Sequence, residues 1–231
     1  MSRDVEAVIA TVAHELRAPL ASIRAAAEIL RDNPGIEAAE RNRFLAVVVQ
    51  ESERLSRLIG QLLDLSRLDA GLPDWEPVQV DLKSIVLYAL EAMAPLFAAR
   101  GITLTSLLPD GMPSVMADHD RLVQVLINLL SNAAKFAPPG DGHVVVEIHQ
   151  RPRGVFLQVS DNGPGIPKEE LQAILERRPG QGATGTGTGL GLPISQRIIE
   201  RCGGRLTVDS EPGRGTRFAF ELPAVPAAGP G

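Results

Sequence analysis

The stretch DRLVQVLINLLSNAAKFA sets Asn128, Asn132 and Lys135 four and three residues apart, so the three share one face of a helix. Asparagine is a poor helix former, which makes a pair of them inside a leucine-rich helix worth explaining. Asparagine side-chain carbonyls are hard oxygen ligands of the kind magnesium accepts, and a lysine beside them suits phosphate. The bland alternative is a helix's ordinary solvent side. Further on, VSDNGPGIP ends a strand at Asp161 and follows it with Gly163 and Gly165, where glycine permits positive φ and close approach of a ligand to the backbone. A carboxylate at the mouth of a strand can accept from an exocyclic amine; without context the segment also reads as a plain turn. GATGTGTGLGLPIS then gathers Gly182, Gly185, Gly187, Gly189 and Gly191 ahead of a helix carrying Ile194 and Ile198. Such a loop turns backbone N–H groups and a positive dipole end toward phosphates. It is neither the dinucleotide fingerprint nor the Walker lysine loop, and flexibility alone would also account for its glycines.

A fourth segment lies near the amino terminus. In TVAHELRAPLASIRAAAEIL the apolar residues Val12, Leu16, Ile23, Ala27 and Leu30 continue a pattern begun by Val5, Val8 and Ile9, the spacing of one helical face. At about 100° per residue, His14 lies roughly 200° from both Val12 and Leu16 and so is displayed away from the stripe. Pro19 removes a backbone donor one turn beyond it and predicts a bend. Alone, a displayed histidine is simply a solvated polar residue.

These segments need a scaffold, and the chain is long enough for one. Its 231 residues can form one large or two small domains, and at 3% aromatic content the cores must be aliphatic. A net charge of −5 argues against nucleic acid as a main partner. Cys202 is the only cysteine, so no intrachain disulfide forms and a reducing compartment fits. No uncharged apolar run reaches membrane-spanning length and no signal peptide is legible. Two long helices are predicted, from about Asp4 to Arg31 and from about Glu37 to Asp69, broken by the turn signal DNPGI. Phe44, Leu45, Val48, Leu55, Leu58, Leu62, Leu65 and Leu68 run near heptad spacing on the second. A hairpin cannot bury stripes this long alone, which predicts a dimeric four-helix bundle, unless the stripe packs on the rest of its own chain.

Beyond AGLPDWEPVQ the pattern mixes types. Helices are expected over Leu82–Ala99, Asp118–Phe136 and Leu190–Cys202, and strands over Ile102–Leu107, Val144–Gln150, Val155–Ser160, Arg205–Asp209 and Thr216–Leu222. The fold class is therefore α+β: a helical hairpin at 1–70, a linker at 71–77, an α/β sandwich with one mixed sheet covered by helices at 78–223, and a disordered tail at 224–231.

The order of the motifs resembles the catalytic core of bacterial sensor histidine kinases, over about residues 4 to 222. HELRAPLASI is similar to their H box, residues 128–136 to the N box, and DNGPGIP and GTGLGL to the G boxes. The second half also resembles the gyrase, mismatch-repair and heat-shock chaperone ATPases. The resemblance implies ATP and Mg2+ as cofactors. It implies that His14 is the phosphoacceptor and that Glu15 orients and deprotonates it, which agrees with the nucleophilicity of a neutral imidazole. It implies that Asn132 coordinates magnesium with Asn128 assisting, directly or through water, and that Lys135 reaches phosphate. Phe136 would line the nucleotide pocket, Asp161 would read adenine with Gly163 and Gly165 making room, and Ile166 would belong to the same nucleotide site. Gly187, Gly189 and Gly191 would wrap the phosphates, with Thr188 as a side-chain donor and Leu190 in the same nucleotide-binding loop. The implied partners are a second copy, through the hairpin, and a response-regulator receiver domain; the implied location is cytoplasmic.

Two departures stand out. Members competent as phosphatases often carry Thr or Asn four residues after the histidine, where this chain has Ala18. The segment LQAILERRPGQGATGTG lacks the family's usual phenylalanine, so its lid reads as short. A catalytically weak dimeric scaffold, or an ATPase or serine kinase of the same superfamily, are the competing functional classes.

Overall fold

The computed structural model describes residues 2–70, 75–152, 154–176 and 191–225. The chain forms two compact units divided after Gly71, and each is described by itself.

The first unit is a helical hairpin of α1 (Ser2–Asp32) and α2 (Ala38–Ala70). Asn33 ends α1 by turning its side-chain amide onto the Ile29 carbonyl at 2.9 Å, and the short turn that follows makes the helices antiparallel neighbours. α1 runs through Pro19 as one helix, with the proline ring buried. Ala26 and Leu58 are buried as well, whereas Leu20, Ile29, Leu45, Val47, Val49 and Ile59 remain exposed. Two helices bury only the faces they turn to each other, so an apolar surface is left over.

The second unit contains β1 (Val78–Val80), α3 (Leu82–Arg100), β2 (Thr103–Leu107), β3 (Val115–Ala117), α4 (His119–Phe136), β4 (His143–Arg151), β5 (Gly154–Asp161), α5 (Lys168–Glu176), α6 (Gly191–Arg201), β6 (Arg205–Glu211) and β7 (Gly215–Pro223). The main sheet has five strands in the order β2-β4-β5-β7-β6. β2 and β4 are parallel because α4 crosses between them; the other pairs are antiparallel, so the sheet is mixed as expected. Alternation sets its two faces. Val144, Val146, Ile148, Val155, Leu157, Val159, Phe220 and Leu222 are buried under α3, α4 and α6, while Phe156 and Gln158 point to the opposite, wetter face. Burying each of these apolar side chains contributes about 1.5–3 kcal/mol.

Helix ends are fixed locally. Asp81 caps α3 by accepting from the N–H groups of Lys83 (3.0 Å) and Ser84 (3.3 Å), and Gly101 closes it at φ 64°. Asp118 caps α4 through the Arg121 N–H at 3.1 Å. By length and composition α3 alone among the described residues could cross a membrane; instead Leu82, Ile85, Val86, Ala89, Met93 and Phe97 are buried in the unit's core.

Three expectations need correction. A small second sheet pairs β1 with β3, and α5 stands where only a glycine-rich stretch was expected. Composition places Ala224 and Val225 in a disordered tail; Ala224 instead bridges Val115, and the Val225 N–H donates to the Ser114 carbonyl at 2.8 Å. Backbone pairing to β3 orders residues that a composition of Pro, Ala and Gly conceals.

Candidate functional site

Asp161 is the last residue of β5, opposite Val144 on one side and Thr216 on the other. That register turns its side chain toward the helical layer. Burial pushes its carboxyl above the ordinary carboxylate range, and the backbone N–H groups of Gly163 and Thr216 pull it part of the way back. The Gly163 N–H reaches Oδ1 at 2.8 Å. A side chain on Gly163 has no room: its Cβ would stand 2.7 Å from Asp161 Oδ1 and 2.9 Å from the Phe136 carbonyl oxygen. The carboxylate turn and the last turn of α4 are thus pressed together at a glycine.

Polar residues unnoticed in the sequence lock this loop. Ser210, buried, donates to the Gly215 carbonyl (2.7 Å) and accepts from the Ile166 N–H (2.8 Å), with Thr216 Oγ1 at 3.0 Å. The Gly213 N–H donates to the Pro164 carbonyl at 2.7 Å. Gly165, at φ 72°, backs onto the Glu211 carbonyl, where no side chain fits. Asn162, the middle residue of the DNG turn, faces away. Its Oδ1 accepts from the His143 N–H (2.7 Å) and its Nδ2 donates to the Asp141 carbonyl (3.0 Å), which tie the turn to the start of β4. In sequence a buried serine looks like an exposed one, so nothing marked Ser210 or Thr216.

On α4, Leu122, Val125, Leu126 and Leu129 are buried, and Asn128, Asn132 and Lys135 occupy the half-buried flank. The Asn128 amide donates to the Gly191 carbonyl and to Ser195 Oγ, both at 3.3 Å, joining α4 to the first turn of α6. Among the described residues Asn132 has no hydrogen-bond partner for its amide. Lys135 Nζ lies 4.8 Å from the centre of the Phe136 ring, which is half exposed. Arg100, at the end of α3, donates from Nη1 to the Ala134 carbonyl at 2.8 Å and steadies this last turn.

The structure therefore brings Asp161, Gly163 and Phe136 together at one end of α4, and Asn128 together with Gly191 farther back along it. Gly187, Thr188, Gly189 and Leu190 lie outside the described residues. His14 and Glu15 belong to α1, but their side chains lie outside them too. Cysteine chemistry is not available: burial and the charge of Asp118 push the Cys202 thiol up to about 12, so it stays protonated.

Comparison with known proteins gives a consistent result. Residues 4–71 match the His Kinase A (phospho-acceptor) domain, and residues 117–226 match the histidine kinase-, DNA gyrase B- and HSP90-like ATPase family. The adaptive-response sensory kinase SasA of Synechococcus sp. (strain CC9311) is 36% identical over 225 residues, covering 94% of this chain and 56% of the relative. The chain thus spans little more than half the length of the curated relative it matches. Among solved structures, full-length ShkA in complex with AMPPNP is 30% identical, with a TM-score of 0.71 over 95% of this chain and 46% of that one. Histidine kinase ThkA in complex with the response regulator TrrA is 26% identical, with a TM-score of 0.71 over 94% and 61%.

Proposed function

Because this chain belongs to the sensor histidine kinase family, we propose that it moves the γ-phosphoryl group of ATP onto His14 and then to an aspartate of a response-regulator receiver domain. One observation carries the proposal: a hairpin whose sole histidine is His14 shares a chain with an ATPase-type unit that holds a half-buried Asp161 against a glycine turn. In the first step the bond between the γ-phosphorus and the bridging oxygen breaks, ADP leaves, and a bond to an imidazole nitrogen forms. Glu15 takes the imidazole proton. Phosphoryl transfer needs mainly positioning and charge neutralisation, and each part has such a role. Asp161 accepts from the adenine amine, Lys135 meets phosphate, Phe136 flanks the base, and the loop through Gly187, Thr188, Gly189, Leu190 and Gly191 wraps the phosphates.

Magnesium fits this donor set. Asn132 and Asn128 offer neutral carbonyl oxygens, and among the described residues no three His, Cys, Asp or Glu side chains converge into a cage. Such a set suits a cation that arrives with phosphates, whose charge it would neutralise. Residues 1–70 would dimerise and receive the phosphoryl group, and the exposed Leu45, Val49 and Ile59 of α2 support a second copy as their cover. The receiver domain as partner is supported by the ThkA complex, and a cytoplasmic setting by the need for ATP.

Asp161→Asn tests the nucleotide reading. A hydrogen bond to a charged acceptor is worth about 1.5–3 kcal/mol, so ATP affinity by calorimetry should fall roughly 10- to 100-fold. Stability should not fall with it. A buried carboxyl with a raised pKa contributes stability below its unfolded pKa and loses it as pH rises through the folded value, so at neutral pH the charge is a burden the amide removes. Lowering pH should weaken ATP binding by wild type earlier than an ordinary carboxylate would, and this component should vanish in Asp161→Asn. Equal affinity in the two proteins would refute the adenine role.

Ala18 follows His14 by one turn on α1 and is exposed. Dephosphorylating a regulator's aspartate requires an aligned water, and a methyl group cannot hold one. A lost transition-state hydrogen bond costs about 2–4 kcal/mol. Ala18→Thr should therefore speed decay of the purified phospho-regulator at least tenfold, in ADP and magnesium, with autophosphorylation retained. Rapid decay with the wild-type protein would contradict this.

A further inference from the structure

The amide of Asn128 is aimed by groups on α6. The Gly191 carbonyl can only accept, so the part of Asn128 turned toward it is the NH2, which donates there and to Ser195 Oγ at 3.3 Å each. With both N–H bonds directed at α6, Oδ1 is the polar group of Asn128 that has no partner among the described residues. Gly191 by itself decides which end of the amide faces α6 but not the plane in which it lies. The terminal torsion of asparagine is broad and roughly two-fold, so one bond lets the plane swing while two define it. Ser195 supplies the second bond. It sits four residues after Gly191, on the same helical face, and it is fully buried between Ile194, Ile198 and Ile199. A hydroxyl in that apolar setting needs a polar contact, and the Asn128 amide is one.

We propose that Ser195 is a positioning residue of the metal–phosphate site: its hydroxyl fixes the amide plane of Asn128 and so directs Oδ1 toward the cation that accompanies ATP. The inference rests on the proposed role of Asn128 at that cation. Ligands held by an outer hydrogen bond typically lose 10- to 100-fold in metal affinity when that bond is removed.

The test is calorimetric binding of a non-hydrolysable ATP analogue to the full chain, once with Mg2+ and once with EDTA. Wild type should bind more tightly with Mg2+. Ser195→Ala should keep its EDTA affinity and lose about tenfold of the Mg2+ gain, and Ser195→Cys, whose thiol is a weaker acceptor, should fall between. Adding Ser195→Ala to Asn128→Ala should cost nothing further, because the serine acts through the asparagine. Equal losses with and without Mg2+ would mean a packing defect, and an undiminished Mg2+ gain would mean no positioning; either overturns the inference. Should Ser195→Ala fail to fold, Ser195→Cys carries the same comparison. If wild type itself gains nothing from Mg2+, the metal role of Asn128 falls and the inference with it. If only the variants behave unexpectedly, that role stands and Ser195 is excluded.

Discussion

Replacing His14 by Gln is expected to remove all acid-labile, base-stable phosphate incorporated from labelled ATP, while ATP affinity stays within about twofold of wild type, a change below roughly 0.4 kcal/mol. Glutamine keeps the helix, being a better helix former than histidine, but its amide nitrogen is not nucleophilic. Affinity should survive because Asp161, Asn132 and Lys135 belong to the other compact unit. The chain provides its own controls. It has four histidines, and His119, His143 and His149 all lie in the α/β unit. There His119 Nδ1 meets Asp120 Oδ1 at 3.0 Å, and His143 Nδ1 lies 3.1 Å from the Asp141 carbonyl. Substituting any of these three should leave labelling intact. Label persisting in His14→Gln would assign the acceptor elsewhere, and acid-stable label would point to a hydroxyl acceptor and hence to the serine-kinase class.

What the sequence disclosed depended on how many residues repeated a pattern. α1, α2, α3 and α4 each carry several helical periods, and their observed ends fall within two residues of the expected ones. β4 and β5 alternate over eight or nine residues, and they are equally plain. β1 and β3 have three residues each, too few to show a period; what makes them strands is that they meet. α5 was hidden between a Pro-Gly turn and a glycine-rich stretch, although Leu171 and Ile174 stand three apart on it. Chemistry followed a similar divide. Asp161, Gly163 and the α4 asparagines could be read because their types are unusual where they occur. Ser195, Ser210 and Thr216 are buried, and they bond Asn128, Ile166 and Asp161 respectively, yet their types are common everywhere. Only the register of β5 on β7, and of α6 on α4, turns them into part of a site.

Gly215→Ala is expected to destabilise the α/β unit by about 2–5 kcal/mol and to lower ATP affinity at the same time. Gly215 has φ 86°, a conformation that costs a residue with Cβ about 1–2 kcal/mol. Its Cβ would also fall on the carbonyl oxygen of Asp161, 2.9 Å from the carbonyl carbon and 3.0 Å from Asn162 Cα. Asp161 is held there by β5–β7 pairing opposite Thr216, so neither strand can yield without opening the ladder; overpacking of this kind adds about 1–3 kcal/mol. The strand end that gives way carries the carboxylate proposed to read adenine, which is why affinity should fall with stability. Gly213 separates the two causes. It too has positive φ, 79°, yet a Cβ there meets nothing within 4 Å. Gly213→Ala should therefore cost only the backbone share, about 1–2 kcal/mol, and leave ATP affinity near wild type. In thermal unfolding the Gly215 variant should melt at least about 2 °C below the Gly213 variant, at roughly 2–4 °C per kcal/mol for a unit of this size. Equal losses in the two variants would mean that backbone conformation alone requires glycine at 215, and that the close approach to Asp161 sets neither stability nor the nucleotide site.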